Sequence, residues 1–347
     1  MRSARLGAPD IAARGPTGLA GAVLLAPARA GDDAWPKGRR LDTADAERLW
    51  RAAAAGTLAA LRVAWPAADD VHEDVAARRL ALAAMGPGLE ARPPRQSRVD
   101  LVAVAAGVLL VRAAAVQALA ALEPLELFTL LHGQPVSAGE VVASAKVAPH
   151  LVPEALVARG EALARTEAPL VQVRPYRAFR AGALVLEQAS PQALARFEQG
   201  AGQKLAALGS VLGPVRVEPS DDADAVARAL RAVLEGGAQL VLVGGVSAGD
   251  PTSPFFAALD ALGGRVVRRG VPAHPGSMIW LAEAAEVPLL GLPQCGMFSE
   301  ATAADLVLPR LLTGERLDAA SLAELAVGGL LGPGMRFRFP RYGEGAG

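Results

Sequence analysis

The stretch QLVLVGGVSAGD, Gln239 to Asp250, decides how this chain is read. Gln239–Val243 is apolar and uncharged, the pattern of a strand covered on both faces. Gly244, Gly245 and Gly249 then make a turn, and Ser253-Pro254 opens a helix. In an open α/β sheet, ligands bind beyond the carboxyl ends of the strands. Glycines there let the backbone approach an anion, and a helix start adds N–H donors and a positive dipole end. Val246 sits within the loop, and Ser247 adds a hydroxyl donor. Asp250 places a carboxylate where it could hold Mg²⁺ against a phosphate. The loop is neither a Walker A sequence nor G-x-G-x-x-G, and the same residues also read as a glycine turn capped by Asp250.

Outward from this loop, strands and helices alternate. Gly182–Glu187 reads as a strand. Ser190-Pro191 supplies an N-cap and a first-turn proline, and Leu194, Phe197, Ala201, Leu205 and Leu208 follow at helical spacing before Gly209. Val215–Glu218 is a short strand. Asp221 and Asp222 open a helix with a Val226, Leu230, Val233, Leu234 stripe. The Ser253-Pro254 helix ends at Gly263-Gly264. Arg265–Arg268 and Val287–Gly291 are further strands, and Ala301–Leu312 and Ala319–Ala326 are closing helices. This order predicts an α/β three-layer sandwich with a mostly parallel sheet over residues 166–330. A smaller α+β region, 1–165, precedes it, and 331–347 is a tail. Two more turn-rich loops fall at later strand ends: Ala273–Met278, with Pro275, Gly276 and Ser277, and Gly291–Ser299, with Pro293 and Cys295.

In the first half, short apolar runs alternate with polar turns. Ala22–Ala26, Leu61–Trp65, Asp100–Ala105, Val108–Arg112 and Leu127–Leu131 read as strands. Trp50–Ala60, Val71–Ala84 and Leu151–Thr166 read as helices. Arg2, Arg5 and Arg14 before the apolar Gly18–Ala26, with Ala28-Arg29-Ala30 after it, imitate a secretory signal. Asp10 and Pro16 interrupt the pattern, and Ala-x-Ala triplets recur by chance in a chain with 76 alanines. The apolar Leu101–Leu122 holds Arg112 and Gln117 and is split by Ala106-Gly107, so it reads as strand, turn, strand and helix rather than a membrane span.

Composition narrows the function. The 347 residues carry 35 basic and 35 acidic side chains, a balance without the electrostatic footprint of a nucleic-acid binder. One cysteine, Cys295, excludes an internal disulfide and a cysteine-rich zinc site. Lysine is scarce, at Lys37, Lys146 and Lys204 only, against 32 arginines, and asparagine is absent. His72-Glu73-Asp74 could suggest a metal cluster. Adjacent positions do not share a helix face, however, so a helix start with solvated acids is the simpler reading. Cys295 reads either as a nucleophile or metal ligand, or as a small pocket residue.

The order Gly244–Asp250, Pro254, Leu262–Gly264, Gly270, Pro275-Gly276 and Pro288–Pro293 resembles the molybdopterin-binding family of molybdenum-cofactor biosynthesis, over about Val171 to Leu312. Gly21–Leu25, Lys37-Gly38 and His72-Glu73-Asp74 resemble the accessory region of molybdotransferase-like proteins. The resemblance implies that molybdopterin, or its adenylylated form, binds at the strand ends. By it, Gly244, Gly245, Val246, Ser247 and Gly249 match the pterin-phosphate loop. Asp250 matches an acidic position tied to Mg²⁺, and Asp221 one needed for activity in adenylylating members. Pro275, Gly276, Ser277, Pro293 and Cys295 match loops lining the pocket. The family's Lys-Pro-Gly-Lys loop is His274-Pro275-Gly276-Ser277 here, without either lysine. Its Thr-Gly-Asp/Glu has become Glu187-Gln188-Ala189-Ser190. Arg268 and Arg269 stand as candidate replacement cations.

The implied function is molybdopterin binding in cofactor biosynthesis or delivery, in the cytoplasm, with molybdate insertion as its catalytic form. No nucleic-acid or membrane partner is expected. Self-association, common among relatives, and contacts with other cofactor-biosynthesis proteins are candidate interactions. Two other classes remain open: a nucleotide-processing hydrolase on the same fold, and a non-catalytic module with a decayed pocket.

Overall fold

The computed structural model describes residues 2–292 and 302–342. The chain forms two compact units. One comprises residues 1–104, 111–132 and 138–173; the other comprises 105–110, 133–137 and 174–347. Both combine helices and strands in a mixed α/β architecture.

The second unit is built on a six-stranded sheet. Its elements are β1 (Arg180–Val185), α1 (Pro191–Ala207), β2 (Val211–Val217), α2 (Ala223–Glu235), β3 (Leu240–Gly244), α3 (Pro254–Ala261), β4 (Arg265–Arg269), β5 (Trp280–Ala284), β6 (Val287–Leu292), α4 (Ala304–Leu311) and α5 (Ala319–Ala323). The strand order is β2-β1-β3-β6-β5-β4. β2, β1, β3 and β6 run parallel, while β5 runs antiparallel to both β6 and β4.

The local causes are legible. Every residue of β3 is buried, as an uncharged strand with covered faces must be. Ser190 accepts the Ala193 N–H at 3.2 Å and Pro191 follows, which starts α1. Asp222 accepts the Asp224 N–H at 3.0 Å and caps α2. Asp221, expected to open that helix too, lies outside the cap. Helices cover both faces. Ala181, Ala183, Leu242 and Leu290 pack with Phe197 and Leu205 of α1 and Leu308 of α4 on one side. Leu184, Val241, Val243 and Leu289 pack with Leu230 of α2 and Phe255 of α3 on the other. Phe339 and Tyr342, near the end of the chain, pack against the first of these cores.

Strand β5 departs from the sequence reading, which places no element between the Ala273–Met278 loop and the Val287–Gly291 strand. A two-residue turn joins β5 to β6, with Ala285 at φ 48° and Glu286 at φ 63°. Hairpin turns of that kind normally announce themselves as Asn-Gly or Asp-Gly, because both residues need positive φ. Ala-Glu carries no such signal. β2 is also longer than the expected Val215–Glu218, beginning at Val211.

In the first unit, Arg2–Gly7, Ala60–Trp65 and Val23–Leu24 form an antiparallel sheet. Leu125–Thr129, Val141–Val147, Arg98–Ala103 and Leu89–Ala91 form a second. The expected strands near Asp100–Ala105 and Val108–Arg112 both exist, as Arg98–Ala103 in this unit and Gly107–Val111, most of which belongs to the second unit, but they pair elsewhere and not with each other. The helix expected at Trp50–Ala60 is displaced to Thr43–Ala54. Asp42 caps it, accepting the Asp45 N–H at 2.7 Å, and Gly56 at φ 74° follows its end. Leu151–Pro153 is a strand, so the Leu151–Thr166 helix begins at Glu154. The leader-like Leu19, Ala22, Val23 and Leu24 are fully buried in this unit. No helix among the described residues is long and apolar enough to cross a membrane.

Candidate functional site

Because β2, β1, β3 and β6 are parallel, the segments after them emerge at one edge of the sheet. β4 runs with them, so the loop from β4 to β5 lies there as well. Residues 186–190, 218–222, 245–253 and 270–279 therefore share this edge. Pro293 and Cys295 lie outside the described residues.

The Gly244–Asp250 loop is fixed by its own backbone. Gly244 accepts the Leu186 N–H at 3.0 Å, and Gly245 donates to the Leu292 carbonyl at 3.1 Å. Gly245 has φ +84°, which turns the chain away from the strand. Ser247 Oγ accepts the Gly249 N–H at 3.2 Å, and the Ser247 carbonyl accepts the Asp250 N–H at 3.2 Å. Ala248 donates to the Met278 carbonyl at 3.1 Å, which ties this loop to the 270–279 loop. Val246 is buried, and its carbonyl accepts the Trp280 indole N–H at 3.0 Å. Among the described residues, the Val246 and Ser247 N–H groups have no acceptor. With the Ser247 hydroxyl proton, they are the donors this loop can offer an anion.

Asp250 is fully exposed, and its Oδ1 serves the loop first. That oxygen accepts both the Thr252 hydroxyl at 2.6 Å and the Thr252 N–H at 2.9 Å. The Thr252 hydroxyl chiefly, with backbone N–H groups behind it, holds the carboxyl below its ordinary range. The second oxygen remains for a ligand. Asp221 is exposed, and no described hydrogen bond or ion pair joins it to this loop.

The Pro275–Ser277 segment is packed. His274-Pro275 is a cis bond, and the Pro275 carbonyl accepts the Ala303 N–H at 2.8 Å. Gly276 has φ +100°, and a Cβ there would lie 2.8 Å from Thr302 Cβ. Ser277 accepts the Val271 N–H at 2.9 Å through its carbonyl, leaving its hydroxyl half-buried at the loop. The candidate replacement cations are engaged elsewhere. Arg268 donates to the Gly270 and Ala319 carbonyls at 2.9 and 3.0 Å. Arg269 lies on the Phe256 ring, 3.6 Å from its centroid.

One residue at this edge carried no role in the sequence reading. Glu187 follows β1, and its stem stands against Gly245: a Cβ at Gly245 would come within 3.0 Å of Glu187 Cβ and Cγ. Partial burial pushes the Glu187 carboxyl up. The signal available was a carboxylate just past the apolar run Ala181–Leu186, at a carboxyl edge. Among the described residues, no group of three or more His, Cys, Asp or Glu side chains could hold a metal by itself. A cleft of about 280 Å³ lined by Arg180, Gly182, Gly213, Val233 and Gly236 lies elsewhere on this unit.

No family model and no curated protein matches the chain. Solved structures with similar stretches include the molybdopterin biosynthesis enzyme MoaB of Thermus thermophilus. It is 18% identical, with 40% of this chain and 98% of that one covered, at a TM-score of 0.28. The molybdopterin biosynthesis MoeA protein of Pyrococcus horikoshii is 12% identical over 70% and 79% of the two chains, at a TM-score of 0.28. The molybdopterin biosynthesis Mog protein of Mycobacterium ulcerans is 16% identical over 39% and 93%, at a TM-score of 0.27. Likenesses this slight say nothing of what the chain does.

Proposed function

We propose that the carboxyl edge of the β2-β1-β3-β6 array binds the phosphate of molybdopterin, or of its adenylylated form, in molybdenum-cofactor biosynthesis. On this reading the second unit is a three-layer sandwich of the molybdopterin-binding type. The observation that carries it is the Gly245–Ser247 turn, where two adjacent N–H groups and the proton of the Ser247 hydroxyl have no described acceptor at the end of a buried parallel strand. The pterin identity of the anion rests on the ordered motifs from Gly244 to Pro293.

In this reading Val246, Ser247 and the glycines cradle the phosphate, and Pro275, Gly276 and Ser277 wall the ligand. Mg²⁺ fits only as an ion shared with the ligand, because Asp250 offers one free carboxylate oxygen and no second ligand group surrounds it among the described residues. Bound there, the ion would neutralise phosphate charge. Arg268 and Arg269 are engaged elsewhere, and Asp221 is unconnected to the loop. We therefore favour binding or delivery over turnover; molybdate insertion is its catalytic extension.

The test is co-purification. The full chain is expressed with an intact pterin pathway, and released pterin is measured by oxidation and fluorescence. Pterin should accompany the wild-type chain and fall sharply with Ser247→Ala. Equal, background-level pterin from both would overturn the reading. Release of AMP from adenylylated molybdopterin with molybdate and Mg²⁺ would show the catalytic form.

A further inference from the structure

Arg2, Arg5 and Arg14, the residues that imitate a leader's basic flank, have another setting in the first unit. Arg5 on the strand Arg2–Gly7 stands directly opposite Arg62 on the strand Ala60–Trp65. Directly opposed residues of an antiparallel pair share a face, and like charges placed so repel. Among the described residues, neither guanidinium has a carboxylate or hydrogen-bond partner. Arg2 and Arg14 lie over the Trp65 ring, 5.5 and 4.5 Å from its centroid. Trp65 is itself held by its indole N–H, which donates to the Gly18 carbonyl at 3.0 Å.

Two of these cations, Arg5 and Arg14, border an open hollow. A cleft of about 580 Å³ is lined by Arg5, Leu6, Asp10, Ala13 and Arg14. Asp10 is its one acidic lining residue, and Asp10 Oδ2 accepts the Gly7 N–H at 2.9 Å at the start of the helix Ala8–Leu19. Guanidinium positive charge therefore gathers at an open cleft whose carboxylate already serves the backbone.

We propose that this cleft is a second ligand site, one that takes a small anion bearing a diphosphate or polyphosphate group. The two forked guanidinium groups at the cleft, Arg5 and Arg14, suit phosphate oxygens, which such groups bind bidentately. A single carboxylate would balance only one of them. The volume falls in the range of small-molecule sites, roughly 300–1,000 Å³. The setting is open but local in a chain of zero net charge, unlike the broad basic face that an extended polyanion requires. The site lies in the first unit and does not depend on the Gly245 loop.

The probe is inorganic pyrophosphate, titrated calorimetrically into the full chain at low ionic strength, with thermal unfolding in parallel. Arg5→Thr and Arg62→Thr should each raise the ligand-free Tm, because like-charge repulsion is relieved. Arg5→Thr, which removes a lining residue, should also weaken pyrophosphate by about tenfold, the size of one charge-assisted hydrogen bond, and Arg62→Thr should weaken it less, because Arg62 stands outside the lining. A merely structural role would not move the two readouts in opposite directions. Arg231→Ser, an exposed charge change on the second unit, should leave affinity unchanged. Arg14→Gln gives an independent loss if either strand variant fails to fold. Unchanged affinity in the Arg5, Arg62 and Arg14 variants would overturn the proposal. Loss confined to Ser247→Ala would place the anion at the Gly245 loop and overturn it too. Binding of a heparin fragment without any binding of pyrophosphate would replace the small ligand with a macromolecule.

Discussion

Trp280 donates its indole N–H to the carbonyl of Val246, 3.0 Å away, and so ties the first residue of β5 to the loop that follows β3. The ring is wholly buried. It packs on Phe255 with centroids 4.7 Å apart and faces Gly291 across the β5–β6 pair. A Cβ at Gly291 would fall 1.9 Å from Trp280 Cε2, so the missing side chain is what admits the ring. The glycine loop is therefore held from beneath by an aromatic core.

Replacing Trp280 separates those two contributions. Trp280→Phe keeps an aromatic ring but orphans the buried Val246 carbonyl, and should cost about 1–3 kcal/mol. Trp280→Ala should cost about 3–5 kcal/mol through the cavity it leaves. Urea unfolding of the full chain measures both. Equal stability of Trp280→Phe and the wild type would mean that the hydrogen bond does not hold the loop.

Gly245 has two reasons to be glycine, and a double-mutant cycle tells them apart. Its φ of +84° costs an L-residue about 1–2 kcal/mol. A Cβ would also press on the Glu187 stem at 3.0 Å. Gly245→Ala should therefore destabilise the chain, and Glu187→Ala in the same chain should recover only the Cγ share of the contact, because the Cβ and backbone N of residue 187 remain. The expected coupling is about 0.5–3 kcal/mol. Zero coupling would mean that the Glu187 side chain beyond Cβ moves aside freely.

Much of this was open to reading in the sequence, and what was not has physical causes. β3 was visible because a parallel strand covered on both faces must be apolar throughout. α1 was visible because Ser190-Pro191 is a cap and a first-turn proline together. β5 was hidden because its turn, Ala285-Glu286, adopts positive φ without the residues that usually signal it. Glu187 was hidden because its importance lies in proximity to Gly245, a contact between two strand ends that no local pattern encodes. Arg268 and Arg269 were legible as cations, but their engagement was not; their partners, Ala319 and Phe256, come from other elements. In the first half, alanine blurred the helix ends. The Thr43–Ala54 helix and the segment up to Ala60 share one composition, and only Gly56 divides them.

Glu187 predicts a pH dependence. Burial raises its folded-state carboxyl above the ordinary 4.5. A raised group binds its proton more tightly when folded, so its contribution is fully present below the unfolded value. It is lost as pH rises through the folded one. Stability relative to Glu187→Gln should therefore fall as pH increases from about 4.5. Anion binding beside Gly245 should weaken over the same window, because the ionised carboxylate repels the ligand, and the Glu187→Gln profile should be flatter. Parallel profiles for the two chains in both denaturation and binding would remove Glu187 from the site.

Asp250 can be stripped of its charge without dismantling its turn. In Asp250→Asn the amide oxygen still accepts from the Thr252 N–H and hydroxyl, so far-UV circular dichroism and Tm should match the wild type. The Mg²⁺-dependent part of pterin retention should disappear, because the oxygen left for the ion is no longer anionic. Thr252→Val should act differently. It removes the hydroxyl bond that chiefly depresses the Asp250 carboxyl, so that group should titrate higher, nearer the ordinary 3.8. A depressed carboxyl contributes above its unfolded value and loses that contribution as pH falls through the folded one. The Thr252→Val difference should accordingly fade in acid and persist at neutral pH, where Mg²⁺ dependence is retained. If Asp250→Asn keeps its Mg²⁺ dependence, the carboxylate serves only the turn before α3, and the ion, where it binds, is held by the ligand alone.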